Sequence, residues 1–381
     1  MAAPLVLSSN FTNSERAMST TVINNSYILN IVPLQSHYAI ATSAGATDAI
    51  HLLDKTSGKT ITKTFDVGDV KISEIRTVGN LANNRDVLLS CGNNGSVKAW
   101  DERTGAVSIE MPVGKKKIPL LSCDASSDGL MVAAGTVLQG QDASIVYWDP
   151  RNPVAPLRKH NETHSDDVTS VRFSRMGSEE ILLSASTDGL LCTSNPTEDD
   201  EDEAGLNVGN WGCSIAKAGW IAGEGSVRAW ARSDMETVSL WSGELDSVRD
   251  LSRDYLAHPH APYTWVSDYM IDCHSTSRNP FVFFAGSSEG DIALIAPSHP
   301  LSADSHWTIE RAFSKGHTEV VRCALWDESN GILLTGAEDS KVNIWSCSVS
   351  LDPNAMDVDS SAQKRIPTED IESVREASYL L

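Results

Sequence analysis

The chain has 381 residues, 41% of them apolar, and its 51 acidic against 30 basic residues give a formal net charge of −21 at pH 7. This apolar content supports a folded core and excludes global disorder. The acidic balance disfavours direct contact with nucleic acid or anionic membrane and favours basic protein partners. No apolar run approaches the roughly 20 residues of a membrane-spanning helix.

The seven cysteines stand singly, with no Cys-x-x-Cys pair. A zinc site or a disulfide framework needs clustered or paired cysteines, so neither is predicted. The first eleven residues lack the basic region of a secretory signal. We therefore expect a reducing compartment, the cytoplasm and/or the nucleus.

In chain order, the first strand-like runs are Leu5 to Ser9, Thr20 to Asn24 and Tyr27 to Leu34. A pattern then recurs that is clearest at its last copy, Gly316 to Trp345, where three short alternating runs are joined by tight turns. Its final position recurs at gaps of 47, 48, 46, 47, 54 and 50 residues, at Leu53, Trp100, Trp148, Ser194, Trp241, Ile295 and Trp345. Repeats of this length with four strands each predict a seven-bladed β-propeller, an all-β fold.

Closing such a ring requires a strand from the other end of the chain, because no fourth strand follows Trp345. We expect Leu5 to Ser9 to supply it, since this run leaves room for a loop before Tyr27; Thr20 to Asn24 is the alternative. The propeller is predicted over residues 1–348, with an extreme N-terminus that need not be ordered. Residues 349–381 are polar and acidic and predict a disordered tail, in which Glu369 to Leu381 could form a short helix.

Histidine, hydroxyl and carboxylate side chains recur at fixed places in two repeats. The last repeat has His317, Thr335, Asp339 and Trp345, and the fourth has His164, Ser184 and Asp188 with Ser194 in place of tryptophan. Such a set could suggest a hydrolase. Its recurrence in an eroded copy favours a buried hydrogen-bonded ladder instead. We predict no catalytic site and no cofactor.

The most specific stretches of these repeats are Trp100-Asp101, Trp148-Asp149, Gly316-His317, Glu162 to Ser174, Ser186 to Leu191 and Leu333 to Ser340. With them the chain resembles WD-repeat β-propellers from Leu5 to Ser348. Within that group it is similar to the WD repeat-containing protein 89 family. The resemblance implies a non-enzymatic scaffold that binds other proteins at the propeller rims.

Trp-Asp-x-Arg occurs in two consecutive repeats, with Arg103 after Asp101 and Arg151 after Asp149. The aspartate is explained by turn chemistry, but the arginine is not, since Asp54 to Gly58 makes the equivalent turn without one. Each arginine could stack on its tryptophan or pair with a nearby acid. The pair also resembles the motif by which substrate receptors of cullin-four ubiquitin ligases bind their adaptor, which implies a ligase adaptor as partner.

An acidic insert follows Ser194, in the predicted loop between the third and fourth strands of blade four. Its six consecutive carboxylates are Glu198, Asp199, Asp200, Glu201, Asp202 and Glu203. They could form a solvated, mobile loop. They could also bind a basic client such as a ribosomal protein or histone, which would make the chain an escort or assembly chaperone. The chain is expected to be a monomer by itself.

The longest gap between repeats contains His258 and His260, a His-x-His pair. No third ligand is evident and Pro259 and Pro262 indicate an exposed loop. No metal site is predicted.

Overall fold

A computed structural model describes residues 5–45, 47–68, 70–82, 84–222, 227–251, 257–258, 263–275, 280–297 and 306–347. The first half of this part of the chain contains β1 (Val6–Ser14), β2 (Ser19–Val22), β3 (Tyr27–Pro33), β4 (His37–Ala44), β5 (Thr47–Asp54), β6 (Ile61–Asp66), β7 (Ile72–Leu81), β8 (Asn84–Gly92), β9 (Ser96–Trp100), β10 (Val107–Pro112), β11 (Leu120–Ala125), β12 (Val132–Thr136), β13 (Ala143–Trp148), β14 (Arg158–His164), β15 (Val168–Met176), β16 (Glu179–Ser186) and β17 (Leu190–Ser194). The second half contains the helix α1 (Glu201–Ala204) and the strands β18 (Gly205–Asn210), β19 (Ile215–Trp220), β20 (Val227–Ser233), β21 (Val238–Ser242), β22 (Ser247–Leu251), β23 (Ala257–His258), β24 (Trp265–Val266), β25 (Tyr269–His274), β26 (Val282–Gly286), β27 (Ile292–Pro297), β28 (Trp307–Phe313), β29 (Val321–Asp327), β30 (Ile332–Ala337) and β31 (Lys341–Ser346).

Among the described residues, seven sheets form the blades of a propeller, which confirms the predicted fold, and β23 and β24 form a separate two-stranded sheet. Blades one to five are β3–β6, β7–β10, β11–β14, β15–β18 and β19–β22. Blade six is β25–β28 with β1 as a fifth strand, and blade seven is β29–β31 with β2. All seven positions of the repeat lie on the third strands β5, β9, β13, β17, β21, β27 and β31. No helix among the described residues is long and apolar enough to cross a membrane.

The N-terminus closes the ring, but the choice of Leu5 to Ser9 as the closing strand was wrong. β2 pairs antiparallel with β31, from Ser19 opposite Ile344 to Val22 opposite Lys341. The chain then needs only four residues to enter β3, because Asn25 adopts a φ of 56°, a left-handed conformation that asparagine tolerates. The strand that begins after Leu5 instead pairs parallel with β28.

In the blades that have one, the third-strand tryptophan packs the blade on the preceding one. Trp100 stacks on Phe65 of blade one at a centroid distance of 5.4 Å, and the Trp148 indole donates to the carbonyl of Pro112 in blade two at 3.0 Å. Trp345 meets Phe313 of blade six edge to face at 5.4 Å. Large rings between neighbouring sheets bury apolar area that one sheet alone could not cover, so the seven blades stabilise one another.

Buried charges join the inner strands around the ring. Arg172 of blade four pairs with Glu74 of blade two, and both side chains are nearly inaccessible to solvent. Asp124 of blade three accepts Arg76 Nε at 2.6 Å and the Phe173 backbone N–H at 2.9 Å. Each carboxylate thus satisfies groups on other blades, which fixes the inner strands relative to one another.

The predicted tail, residues 349–381, and the first four residues lie outside the described residues.

Candidate protein-binding face

The alternation of strand direction assigns the turns to two faces of the ring. The turns after the first and third strands of every blade lie on one face, which we call the turn face. Residues 101–106, 149–157 and 195–204 follow the third strands of blades two, three and four. Arg103, Arg151 and the acidic insert therefore occupy consecutive blades of the turn face.

Asp101 organises the turn of blade two. Its carboxylate accepts the backbone N–H of Arg103 at 2.8 Å and that of Thr104 at 3.2 Å. The bond from Thr104, followed by that from Arg103, holds the pKa of the Asp101 carboxyl below its usual value. The Arg103 guanidinium lies 3.5 Å from the carboxylate, and its side chain is 83% exposed. The turn thus fixes the backbone of Arg103 and leaves its side chain open to solvent.

Blade three makes the same turn with a tighter ion pair. Asp149 accepts the Arg151 backbone N–H at 2.9 Å, and its two oxygens take Nε at 2.9 Å and Nη2 at 2.7 Å. These bonds to Arg151 lower the pKa of Asp149, and Arg151 is 57% exposed. In blade one, Asp54 accepts the Ser57 N–H at 2.6 Å with no arginine present. The turn therefore does not require the arginines.

A cleft of about 640 Å³ opens between blades one and two beside Arg103. Its floor includes Leu52, Val87 and Trp100. At its rim His37 Nδ1 lies 2.6 Å from Glu102 Oε1, and Lys63 Nζ donates to the Arg103 carbonyl at 2.5 Å. The cleft combines an apolar floor with charged edges, as protein-binding surfaces do. Sequence reasoning missed it, because its residues come from two blades.

The turn of blade three also displays aliphatic side chains. Val154 is 80% and Leu157 is 54% exposed, in a stretch that contains Pro150, Pro153 and Pro156. Proline fixes φ, so the backbone of this turn loses little conformational freedom on binding. The prolines in "DPRNPVAPL" were the available signal for this rigid, exposed turn.

The acidic insert is tied to blade three rather than extended into solvent. The Glu201 carboxylate accepts the backbone N–H groups of Asn161, Glu162 and Thr163 at 2.7–2.8 Å, and also the Thr163 hydroxyl. Burial alone would raise the pKa of Glu201, but these bonds outweigh it and hold the pKa below its usual value. Asp199 pairs with Arg158 at 2.9 Å.

The remaining carboxylates of the insert have different surroundings. Asp200 caps α1 by accepting the Asp202 N–H, and Asp200, Asp202 and Glu203 are exposed. Glu198 is partly buried and accepts the Asp199 N–H. The interpretation as a freely mobile loop does not fit this anchoring. Three carboxylates are presented at a defined place on the turn face.

The histidine sets form closed ladders. The Trp345 indole donates to Thr335 Oγ1 at 2.9 Å, Thr335 Oγ1 lies 2.8 Å from His317 Nε2, and His317 Nδ1 lies 3.2 Å from Asp339. Burial alone would raise the pKa of Asp339, but the bond from His317 outweighs it and lowers that pKa. With the Thr335 side chain fully buried, no substrate reaches it.

The fourth repeat has the shorter version of this ladder. His164 contacts Ser184 at 2.8 Å and Asp188 at 3.2 Å, without a tryptophan.

Only His258 of the His-x-His pair lies among the described residues. His258 is buried, and its Nδ1 lies 2.8 Å from the carbonyl oxygen of Leu5. His260 lies outside the described residues. Within the ranges that the structure describes, no group of three or more potential ligands is placed to hold a metal ion.

Comparison with known proteins agrees with this architecture. The family described as "WD domain, G-beta repeat" matches residues 155–192 and 308–346. WD repeat-containing protein GTS1 of Arabidopsis thaliana is 29% identical over 85% of this chain and 82% of its own length. The WD repeat-containing protein 89 homolog of Dictyostelium discoideum is 25% identical over 82% of this chain and 81% of its own length.

An uncharacterized WD repeat-containing protein of Saccharomyces cerevisiae is 29% identical over 82% of this chain and 77% of its own length. Proteins of this fold are generally non-catalytic scaffolds that bind other proteins. The chain therefore contains WD repeats within a seven-bladed β-propeller, and the relatives to which it is similar over most of its length are WD repeat-containing proteins.

Proposed function

We propose that this protein is an interaction scaffold whose turn face binds the adaptor of a cullin-four-type ubiquitin ligase through Arg103 and Arg151, so that the chain acts as a substrate receptor. The proposal rests on the resemblance of the paired Trp-Asp-x-Arg motif and on the geometry of the two turns. It places the protein in the cytoplasm or nucleus, where its seven unpaired cysteines stay reduced.

The observation that carries this proposal is the exposure of Arg103 on a turn that is already complete without it. The Asp101 carboxylate is occupied by backbone N–H groups, and its contact with the guanidinium is 3.5 Å long. A planar guanidinium can bind a carboxylate or two carbonyl groups of a partner in a fixed geometry. Arg151 occupies the equivalent position in the adjoining blade.

Affinity capture from cell extract tests the proposal. Arg103→Ala with Arg151→Ala should abolish recovery of the adaptor, and Arg103→Lys should weaken it because lysine lacks the planar fork. Arg16→Ala is the matched control, since Arg16 is an exposed arginine in the connection between β1 and β2. Equal recovery with the double variant, or no adaptor with wild type, would refute the assignment.

A second function, escort of a basic client, is favoured by the anchored acidic insert. Glu201 and Asp199 fix the insert on blade three, so Asp200, Asp202 and Glu203 are presented in a defined place. Fixed like charges near one another attract a lysine-rich or arginine-rich partner with fast, salt-sensitive association.

Binding of purified core histones at increasing salt tests the escort function. Asp200→Asn, Asp202→Asn and Glu203→Gln together should reduce binding and its salt dependence. The matched control removes three exposed carboxylates from blades five to seven: Glu244→Gln, Glu289→Gln and Glu319→Gln. If both triple variants lose binding equally, only the net charge matters and the insert has no specific role.

A further inference from the structure

The outer strand of blade four, β18, differs from the outer strands of blades one, two, three and five; β2 of blade seven, "STTV", is also an uncharged outer strand in the described part of the chain. It stands at the edge of its sheet, with no strand on its outer side in the described part of the chain. Its sequence, "GLNVGN", has no charged residue. The outer strands β6, β10, β14 and β22 all contain charged side chains, among them Lys63, Glu110, Lys159 and Arg249. Charges on an edge strand prevent pairing with other chains, and β18 lacks that protection.

The same strand exposes aliphatic side chains in alternation. Leu206 is 49% and Val208 is 65% exposed, and their spacing of two places them on one side of β18. Gly209 faces the opposite side, where a Cβ atom would lie 2.9 Å from the Trp241 ring of blade five. One side of β18 is therefore committed to the neighbouring blade, and the other is free for contact.

Blade six shows that a blade of this propeller accepts a fifth strand. β1 adds in parallel to the outer strand β28, with Val6 opposite Thr308 and Ser14 opposite Phe313. The sheet twist and the space between outer strands thus permit an added strand in this ring. No strand occupies the corresponding place on β18 in the described residues.

We propose that β18 binds an extended, basic segment of a partner protein by strand addition, with basic residues preceding an alternating aliphatic stretch. Main-chain hydrogen bonds to the free edge would supply affinity, and Leu206 and Val208 would select aliphatic side chains. The acidic insert ends where β18 begins. In the parallel orientation that β1 adopts, the partner's first residues lie beside Asp202 and Glu203.

This inference rests on the escort function and names the way in which the client binds. A second copy of the chain is disfavoured as the occupant, because each copy has a formal net charge of −21 and like charges oppose close approach.

Fluorescence anisotropy with a labelled nine-residue peptide tests the inference on the full chain. The probe has three lysines followed by alternating threonine and valine; its control has the same charges but a central proline, which cannot join a strand interior. Leu206→Glu with Val208→Glu should weaken binding of the probe at least about tenfold, although the added negative charge would by itself favour a basic peptide. Val266→Glu, at an aliphatic residue that is 64% exposed and lies in β24 outside the seven blades, is the matched control and should not weaken it.

The outcomes separate this inference from the escort function. Strand addition is supported if the wild-type protein binds the probe more tightly than the proline peptide and only the β18 variant loses this difference. Equal affinity for both peptides, or unchanged affinity in the β18 variant, overturns it; the escort function would still hold if the insert variant weakened binding. Two further outcomes would assign the edge to the chain itself and would also overturn the inference. One is a wild-type dimer that the β18 substitutions dissociate. The other is binding of the probe that appears only after residues 348–381 are removed.

Discussion

Thr335→Val tests whether the ladder of blade seven is a structural element. The Thr335 hydroxyl accepts the Trp345 indole N–H at 2.9 Å and lies 2.8 Å from His317 Nε2. Valine preserves the shape of threonine and replaces its hydroxyl group with a methyl group, which can neither donate nor accept a hydrogen bond. The Trp345 N–H and the His317 nitrogen would then both be buried without a partner.

The magnitude follows from the number of orphaned groups. A buried polar group that loses its partner costs about 1–3 kcal/mol, so two such groups predict a loss of about 2–6 kcal/mol in the free energy of unfolding. Blade four supplies an internal comparison. Ser184→Ala leaves only His164 without its partner, since Ser194 replaces the tryptophan, and the predicted loss is about 1–3 kcal/mol.

Equilibrium unfolding in guanidinium chloride, followed by tryptophan fluorescence, measures both losses. The account predicts that Thr335→Val is about twice as damaging as Ser184→Ala, with no change in partner binding at the turn face. Losses of equal size, or a Thr335→Val protein within about 0.5 kcal/mol of wild type, would refute the reasoning.

Three further predictions concern contacts between blades. Glu201→Gln should lower the free energy of unfolding by about 1 kcal/mol, because a partly exposed carboxylate loses its charge-assisted hydrogen bonds. It should also speed amide hydrogen exchange at residues 161–163. The control Glu203→Gln should change neither quantity. Arg172→Met should cost about 3–5 kcal/mol by leaving Glu74 buried and unpaired, and adding Glu74→Gln should restore part of the loss in thermal unfolding. Burial opposes ionisation of Asp327, yet hydrogen bonds from Ser329, from Tyr38 across the ring junction and from Asn330 hold its pKa at about 2. Because the folded-state pKa lies below the unfolded value, this carboxylate stabilises the fold above about pH 4, and the contribution is lost as pH falls towards 2. Asp327→Asn should therefore be less stable at pH 7 and show a flatter pH dependence of the unfolding midpoint. An unchanged pH dependence would contradict the assignment.

The number of blades was predictable because it is written in local periodicity. The spacing from Leu53 to Trp345 reports a repeated unit even where the tryptophan is lost, since strand alternation and turns persist around Ser194 and Ile295. The closing strand was not predictable on the same basis. Both N-terminal runs become strands, and the choice between them depended on Asn25 making a turn shorter than the expected loop.

The surroundings of the candidate sites depend on contacts that no local pattern contains. Glu201 is held by residues 38–40 positions earlier, in another blade. Glu74 and Arg172 are 98 positions apart. Pairing of Arg103 with a nearby acid was among the alternatives that the sequence left open, and in the structure that acid is Asp101. The sequence did not determine how much of the Arg103 side chain is exposed. Side-chain exposure and ion pairing follow from how the blades meet.

Closure of the ring by β2 is tested most directly by cysteine cross-linking across the junction. Thr20 and Asn343 are paired in register, with their side-chain oxygens 2.6 Å apart, so Thr20→Cys with Asn343→Cys suits disulfide geometry. Ser8→Cys with Asn343→Cys represents closure by the run from Leu5 to Ser9.

The account predicts that the first pair forms a disulfide under mild oxidation and raises the unfolding temperature, because the link constrains a very long segment of the unfolded chain. The second pair should remain reduced. A disulfide in the second pair, with none in the first, would contradict closure by β2.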